Sequence, residues 1–394
     1  MNEEAKPRVL LITRNLPPLM GGMEWLNWHM AAELAKYVDI RIIGPRGAAS
    51  LAPGGVLVRE VPLRPLWYFL GIAAFQAVRE AIRFRPHIVL AGSGLTAPIA
   101  IWTARSAKAA AVVYVHGLDL ATSHPIYRWL WFPALRRMRR IIANSRASAE
   151  LAERIGVAPQ RIHIVNPGVA LPETTIDGNE LEAFLREHGL ERKAILLSVG
   201  RLSERKGLRE FVSEALPSIV ARRSDALLLV VGGEPKDALS ARSQTRESIR
   251  AAAKQAGVSE HVRFLGEISD RKYLSIIYGA SNLHVFPVRQ LPNDPEGFGM
   301  VAIEAAACGT PTVAFATGGV VDAVAEGRSG RLVRSGDYAA FADAVLSMLD
   351  ESKGMQATCM EFAAGFAWPN FGLRIYHVLF GDNSVARRIT HEPD

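Results

Sequence analysis

Short, continuous apolar runs rich in Val, Ile and Leu recur along this chain between amphipathic stretches, and they do so in two successive sets. The first set is Val9–Thr13, Val38–Ile43, His87–Ala91, Ala110–Val115, Arg140–Asn144 and Ile162–Val165. The second is Ala194–Val199, Ala226–Val231, Val262–Leu265, Leu283–Phe286 and Thr312–Ala316. A strand that is apolar at every position must be covered on both faces, and parallel sheets achieve this by returning the chain through helices. The pattern therefore predicts an α/β chain of two doubly wound domains, for which 394 residues suffice. Periodicity lapses between Pro167 and Leu190, where Pro167, Gly168, Pro172, Thr174, Thr175, Asp177 and Gly178 punctuate the sequence. The expected division is 1–172 for the first domain, 173–190 for a linker with a short helix, and 191–365 for the second domain. Ligands of open α/β sheets bind beyond the carboxyl ends of the strands, so function is sought in the loops there, edging a cleft between the domains.

Composition narrows the classes. With 49% hydrophobic and 22% charged residues the chain is neither disordered nor a coiled coil. Two cysteines, Cys308 and Cys359, are too few for a disulfide framework or a four-thiolate metal site, which points to a reducing, cytoplasmic setting. Two glutamates precede the first apolar run, the wrong order for a signal peptide. The longest nearly apolar stretch, Leu66–Val78, is far short of the roughly 20 residues that a spanning helix needs, so no membrane crossing is expected. Residues 1–172 carry 21 Lys/Arg against 10 Asp/Glu, and the remainder 25 against 29. A basic first half suits phosphorylated substrates or anionic lipid; nucleic acid is not expected, because Lys/Arg runs with interleaved aromatics and zinc-knuckle spacings are missing.

Several loops carry candidate chemistry. In Asn15-Leu-Pro-Pro-Leu-Met-Gly21-Gly22-Met-Glu24 the paired glycines before a helix suit an anion, or simply turn the chain; both readings stand. Gly92-Ser-Gly94-Leu-Thr-Ala97 matches G-x-G-x-x-A, but it follows a late strand and the position where an acidic partner belongs is His116, so no nicotinamide or flavin is expected. His116 itself, followed by Gly117 and Asp119, suits acid/base work or contact with a substrate hydroxyl, and equally a structural hydrogen bond. Tyr127–Arg140 combines Trp129, Trp131 and Phe132 with Arg136, Arg137, Arg139 and Arg140, as in an interfacial membrane helix or in a packed helix with a solvated basic end. Gly200-Arg201 and Lys206-Gly207 place two cations at the start of a helix, which gathers positive potential for a diphosphate. Glu296 and Glu304 flank seven residues; carboxylates accept hydrogen bonds from vicinal hydroxyls, so Glu304 suits a ribose and Glu296 a hexose above the amides of Gly297–Gly299.

Gly21-Gly22-Met-Glu24, His116-Gly117, Gly200-Arg201-Leu with Lys206-Gly207, Val231-Gly232-Gly233, Phe264-Leu-Gly266-Glu267-Ile268-Ser269 and the E-x7-E element Glu296 to Glu304 together resemble the retaining family-4 glycosyltransferases of GT-B fold. The resemblance covers nearly the whole chain and implies two Rossmann-like domains facing a central cleft. It implies that Arg201 and Lys206 bind the donor diphosphate and Glu304 the ribose. Glu296, Gly297 and the amides of Phe298, Gly299 and Met300 would hold the transferred sugar, and backbone near Gly233 and Ile268 would meet the base. Gly21 and Gly22 would lie near the phosphates and His116 near the reacting centre. Gly233 stands where the family commonly has Asp. The segment Phe366-Ala-Trp368-Pro-Asn with the helix after it, 366–385, looks like the family's crossing back to the first domain, leaving a tail at 386–394.

The implied reaction is hexosyl transfer with retention, by front-face attack in which the leaving diphosphate helps accept the acceptor's proton. Its partners would be a GDP- or UDP-sugar and a saccharide or lipid-linked saccharide acceptor, with peripheral contact to anionic membrane on the cytoplasmic side. No cofactor and no metal are expected, because cationic side chains and helix N-termini face the diphosphate and no D-x-D stands in either phosphate loop. The rival readings are another GT-B enzyme on nucleotide-sugars, an epimerase or phosphorylase, and a catalytically silent nucleotide-sugar binder.

Overall fold

The computed structural model describes residues 6–172, 176–234 and 244–381. The chain divides into two compact units: one runs to Gly168 and resumes at Trp368, and the other is Val169–Ala367. The helix Gly178–Glu187, given to a linker by the sequence, is therefore part of the second unit, where it packs on the helix Arg271–Ala280. Residues 173–175 and the expected tail 386–394 lie outside the described residues.

In the first unit seven strands form one parallel sheet: β1 (Arg8–Ile12), β2 (Asp39–Pro45), β3 (Leu57–Val61), β4 (Ile88–Ala91), β5 (Ala110–Val115), β6 (Arg140–Ala143) and β7 (Ile162–Ile164), in the order β3-β2-β1-β4-β5-β6-β7. Alternate strand residues, among them Leu10, Ile12, Val89, Ala91, Val113 and Val115, point into one buried layer shared with the helices Leu66–Phe84, Ala97–Ala107 and Pro125–Arg136. Tyr114, between two of those positions, points the other way and meets Phe371 of the helix Trp368–Phe380, with ring centroids 6.2 Å apart. That helix packs on Gly22–Ala35, where Trp368 stacks on His29 at 4.0 Å. It buries Trp368, Phe371, Ile375 and Tyr376, which fixes it to the first unit by apolar area rather than by sequence position.

The second unit holds a six-stranded parallel sheet: β8 (Ala194–Val199), β9 (Ala226–Val231), β10 (Val262–Gly266), β11 (Leu283–Phe286), β12 (Thr312–Phe315) and β13 (Gly330–Val333), ordered β10-β9-β8-β11-β12-β13. Where the chain enters and leaves this unit, the Val169 amide donates to the Phe366 carbonyl at 2.7 Å and Val169 pairs with Ala367.

Among the described residues, eleven of the thirteen strands coincide with apolar runs in the sequence, to within a residue or two at their ends. The exceptions, β3 and β13, are edge strands of their sheets. An edge strand has a neighbour on one side only and need not be apolar throughout. In β3 exposed Leu57 and Arg59 alternate with partly covered Val58 and Glu60, and β13 brings Arg331 between Gly330 and Leu332.

Candidate functional site

In each sheet there is one place where the strand order reverses. Strand β11 pairs with β8 rather than with β10, so the loops leaving β8 and β11 emerge side by side at their carboxyl ends. These loops carry every charged residue that the sequence assigns to the diphosphate and the transferred sugar. The first turns through Ser203 into a short 3₁₀ turn, Glu204–Lys206, before the helix Leu208–Glu214. The second runs from Pro287 to the helix Met300–Ala307.

Glu296 is buried at 9% exposure and is the hub of the site. Its Oε2 accepts from Lys206 Nζ at 2.8 Å and lies 3.2 Å from Arg205 Nε. Arg205 Nη1 also donates to Asp294 Oδ1 at 2.5 Å. The Lys206 ammonium stands 4.5 Å from the centroid of Phe286, which closes its apolar side. Burial by itself would raise the Glu296 carboxyl; Lys206, Arg205 and Arg201 outweigh it and hold the group at about 2. Lys206 is lowered as well, but by burial, which prevails there over the opposing Glu296 charge. Arg201 lies exposed beside this network, adding its field to both groups. The result is a cluster of two cations on two carboxylates, with a third, exposed guanidinium at its rim.

The loop backbone is held rigidly beneath it. The Gly319 amide donates to the Glu296 carbonyl at 2.9 Å, and a Cβ on Gly319 would come within 2.0 Å of the Gly297 carbonyl oxygen. Phe298 and Gly299 are buried, and Gly299 caps the helix that begins at Met300. Glu304, one turn further, is half-buried and accepts from the Tyr278 hydroxyl at 3.3 Å. Burial raises its carboxyl, against the opposing charges of Arg271 and Lys206. Gly233 follows β9 and Ile268 follows β10, and the Ile268 side chain packs on the sheet's core. The Glu267 carboxylate fills the space that a side chain at Gly233 would need, with Oε1 2.1 Å from an ideal Cβ. So the sequence residues Arg201, Lys206, Glu296, Gly297, Phe298, Gly299 and Met300 gather on two adjacent loops. Sequence reasoning missed Arg205, Asp294 and Tyr278, although Arg205 and Asp294 lie within two residues of Lys206 and Glu296.

In the first unit the order reverses between β1 and β4. His116, after β5, is buried, and its Nε2 lies 2.9 Å from the Gly92 carbonyl in the loop after β4. A carbonyl only accepts, so Nε2 is the donor in this contact. Gly21 and Gly22 begin the helix Gly22–Ala35, but the anion expected at its N-terminus has a local competitor: Glu24 sits in the first turn, buried, and accepts from Asn15 Nδ2 at 2.7 Å.

The acid limb of stability should report on Glu296. Its folded value is depressed, so its contribution is fully present above the ordinary carboxylate range near 4.5 and is lost as pH falls toward about 2. Between pH 5 and pH 3 the wild type should lose about 2 kcal/mol more stability than Glu296→Gln, as read from denaturant unfolding at each pH. Parallel losses in the two proteins would place the carboxylate's charge outside the folded-state network.

Two family models match the chain, "Glycosyltransferase Family 4" over residues 20–172 and "Glycosyl transferases group 1" over residues 182–364. The chain belongs to the family-4 glycosyltransferases of GT-B fold. It is 35% identical over 237 residues to the D-inositol 3-phosphate glycosyltransferase 2 of Catenulispora acidiphila, covering 58% of this chain and 53% of that one. The chain thus spans about half the length of this curated relative. A GDP-mannose-dependent alpha-(1-6)-phosphatidylinositol monomannoside mannosyltransferase of Mycolicibacterium smegmatis is 25% identical over 95% of this chain and 98% of its own. Among solved structures, Anabaena HepE in complex with UDP superposes with a TM-score of 0.78 at 18% identity, over 94% of this chain and 99% of that one, a likeness of fold.

Proposed function

We propose that this chain is a retaining hexosyltransferase that uses a GDP- or UDP-sugar and a saccharide or lipid-linked saccharide acceptor, in the assembly of surface polysaccharide or glycolipid. The observation that carries the reading is the buried network of Lys206, Arg205 and Glu296, with Arg201 exposed at its rim, on the two loops of the second unit's switch point. Departure of a nucleoside diphosphate develops negative charge, and Arg201 and Lys206 stabilise it before it forms. Glu296 and the amides of Gly297–Met300 orient the hexose, Glu304 takes the ribose hydroxyls, and backbone at Gly233 and Ile268 meets the base. His116, in the first unit, is a candidate partner for a substrate hydroxyl. The acceptor hydroxyl attacks on the face that the diphosphate leaves, and a leaving-group oxygen takes its proton, so no enzymic base is required. The GDP-mannose and phosphatidylinositol mannoside in the name of the mycobacterial relative, and the UDP in that of the Anabaena structure, support this substrate class. A lipid-linked acceptor would bring the enzyme to the cytoplasmic face of a membrane.

Thermal-shift profiling with GDP-, UDP- and ADP-sugars should single out one base, and the selected donor with a saccharide acceptor should give a product of unchanged anomeric configuration by NMR. An inverted product, an epimerised free sugar formed without acceptor, or a reaction that depends on inorganic phosphate would replace the reading with another. Turnover should also survive excess EDTA, because side-chain cations neutralise the diphosphate; a loss restored by Mg²⁺ or Mn²⁺ would contradict that.

A further inference from the structure

We infer that the outer surface of the first unit's three-helix layer is a docking face for an anionic bilayer. The helices Leu66–Phe84, Ala97–Ala107 and Pro125–Arg136 lie side by side over one face of the sheet, joined in the same buried layer. In Leu66–Phe84 the inward stripe is Phe69, Ala73, Ala77 and Ala81. The opposite stripe recurs at helical spacing as Trp67, Gly71, Phe75, Arg79 and Ile82, and every one of these is exposed. Trp102 projects from the next helix and Trp129 from the third; Trp67, Trp102 and Trp129 are 73%, 73% and 76% exposed. Single exposed apolar side chains are ordinary, but large aromatics on three neighbouring helices of one layer mark an interaction surface.

Charge decides the partner. These three helices carry Arg79, Arg83, Arg105, Arg128 and Arg136, all exposed, and one acid, Glu80. Glu80 is buried on the inward side, where it accepts from Arg41 at 2.6 Å and Arg59 at 3.4 Å. The outward charge is therefore of one sign. A second copy of this chain seated on the same face would set arginine against arginine, whereas an anionic headgroup layer neutralises the arginines and admits the indole rings.

The contact thus differs from the Tyr127–Arg140 segment expected from the sequence. Trp129 belongs to it, but Trp131 turns inward, donating Nε1–H to the Leu95 carbonyl at 2.8 Å and stacking on Tyr127. Phe132 is buried. The inference goes beyond hexosyl transfer and does not depend on it, because none of these residues is assigned to the donor or the reacting centre.

The full chain should co-sediment with phosphatidylglycerol-containing vesicles, weakly with pure phosphatidylcholine, and less as salt rises. Trp67→Ser with Phe75→Ser and Trp102→Ser should lower partition at least about tenfold with an unchanged thermal melt, since the three side chains are exposed. Arg79→Gln with Arg83→Gln should reduce it by about fivefold per arginine and flatten the salt dependence. Trp131→Phe, on the inward side, should bind as the wild type does, and transfer to a soluble acceptor should be unaltered in the Ser and Gln variants, which separates this face from the reaction. Absence of wild-type binding, equal binding to neutral vesicles, wild-type binding by both sets of variants, or a dimer in sedimentation velocity that the Ser substitutions abolish would overturn the assignment.

Discussion

Lys206→Ala should lower turnover by about two to three orders of magnitude, the scale seen when one preorganised donor to a developing anion is removed, about 3 to 4 kcal/mol. The ammonium is held between the Glu296 carboxylate at 2.8 Å and the Phe286 ring, so it is positioned before any ligand arrives and needs no reorganisation. Its loss also removes the first of the charges that offset the burial of Glu296, and the melting temperature should fall. Arg201→Ala should give a turnover loss of the same order with the melt unchanged, because Arg201 is exposed. Steady-state kinetics with the preferred donor, together with a thermal melt of each variant, would measure both effects. Near-wild-type rates in both would remove the diphosphate from these two loops.

Gly207→Ala should be strongly damaging to the second unit. Gly207 has φ +67, and an added Cβ would stand 2.1 Å from the Pro287 carbonyl oxygen. A left-handed conformation costs a non-glycine residue roughly 1 to 2 kcal/mol, and relieving a clash with backbone costs roughly another 1 to 3 kcal/mol. The clash joins the two loops of the site directly: Gly207 follows Lys206, and Pro287 opens the segment that leads to Glu296. The midpoint of thermal unfolding should fall by roughly 5 to 15 °C, and donor binding should weaken even where the protein stays folded. A variant with wild-type melt and wild-type donor affinity would mean that the loops approach each other less closely than this.

The sequence was legible where burial imposes a pattern. Strands covered on both faces are apolar throughout and can be read directly, whereas β3, with Arg59 and Glu60, is an edge strand that hides among surface residues. The same logic applies to the site. Lys206 and Glu296 were readable because glycines and spacing marked their loops, but Arg205 and Asp294 gain their meaning from each other, 89 positions apart, and only the adjacency of β8 and β11 makes them partners. Glu304 stands in an Ala-rich run, yet one face of that helix is more open, and the carboxylate is half-buried with Tyr278 beside it. Trp129 and Trp131 are two residues apart and of one type, and only packing tells them apart: two steps along a helix turn a side chain by about 200°.

The crossing at Val169 and Ala367 sets an order of events during synthesis. Everything that the second unit needs lies between these two residues, and its ends are tied by the Val169 amide and Phe366 carbonyl, so it can close as soon as Ala367 leaves the ribosome. The first unit, though started earlier, cannot cover Tyr114 and His29 until Trp368–Phe380 has been made. The usual rule that amino-terminal domains mature first is inverted here. Until the helix Trp368–Phe380 arrives, the nascent first unit leaves the apolar surface around Tyr114 and His29 uncovered, for the time needed to translate the whole of the second unit.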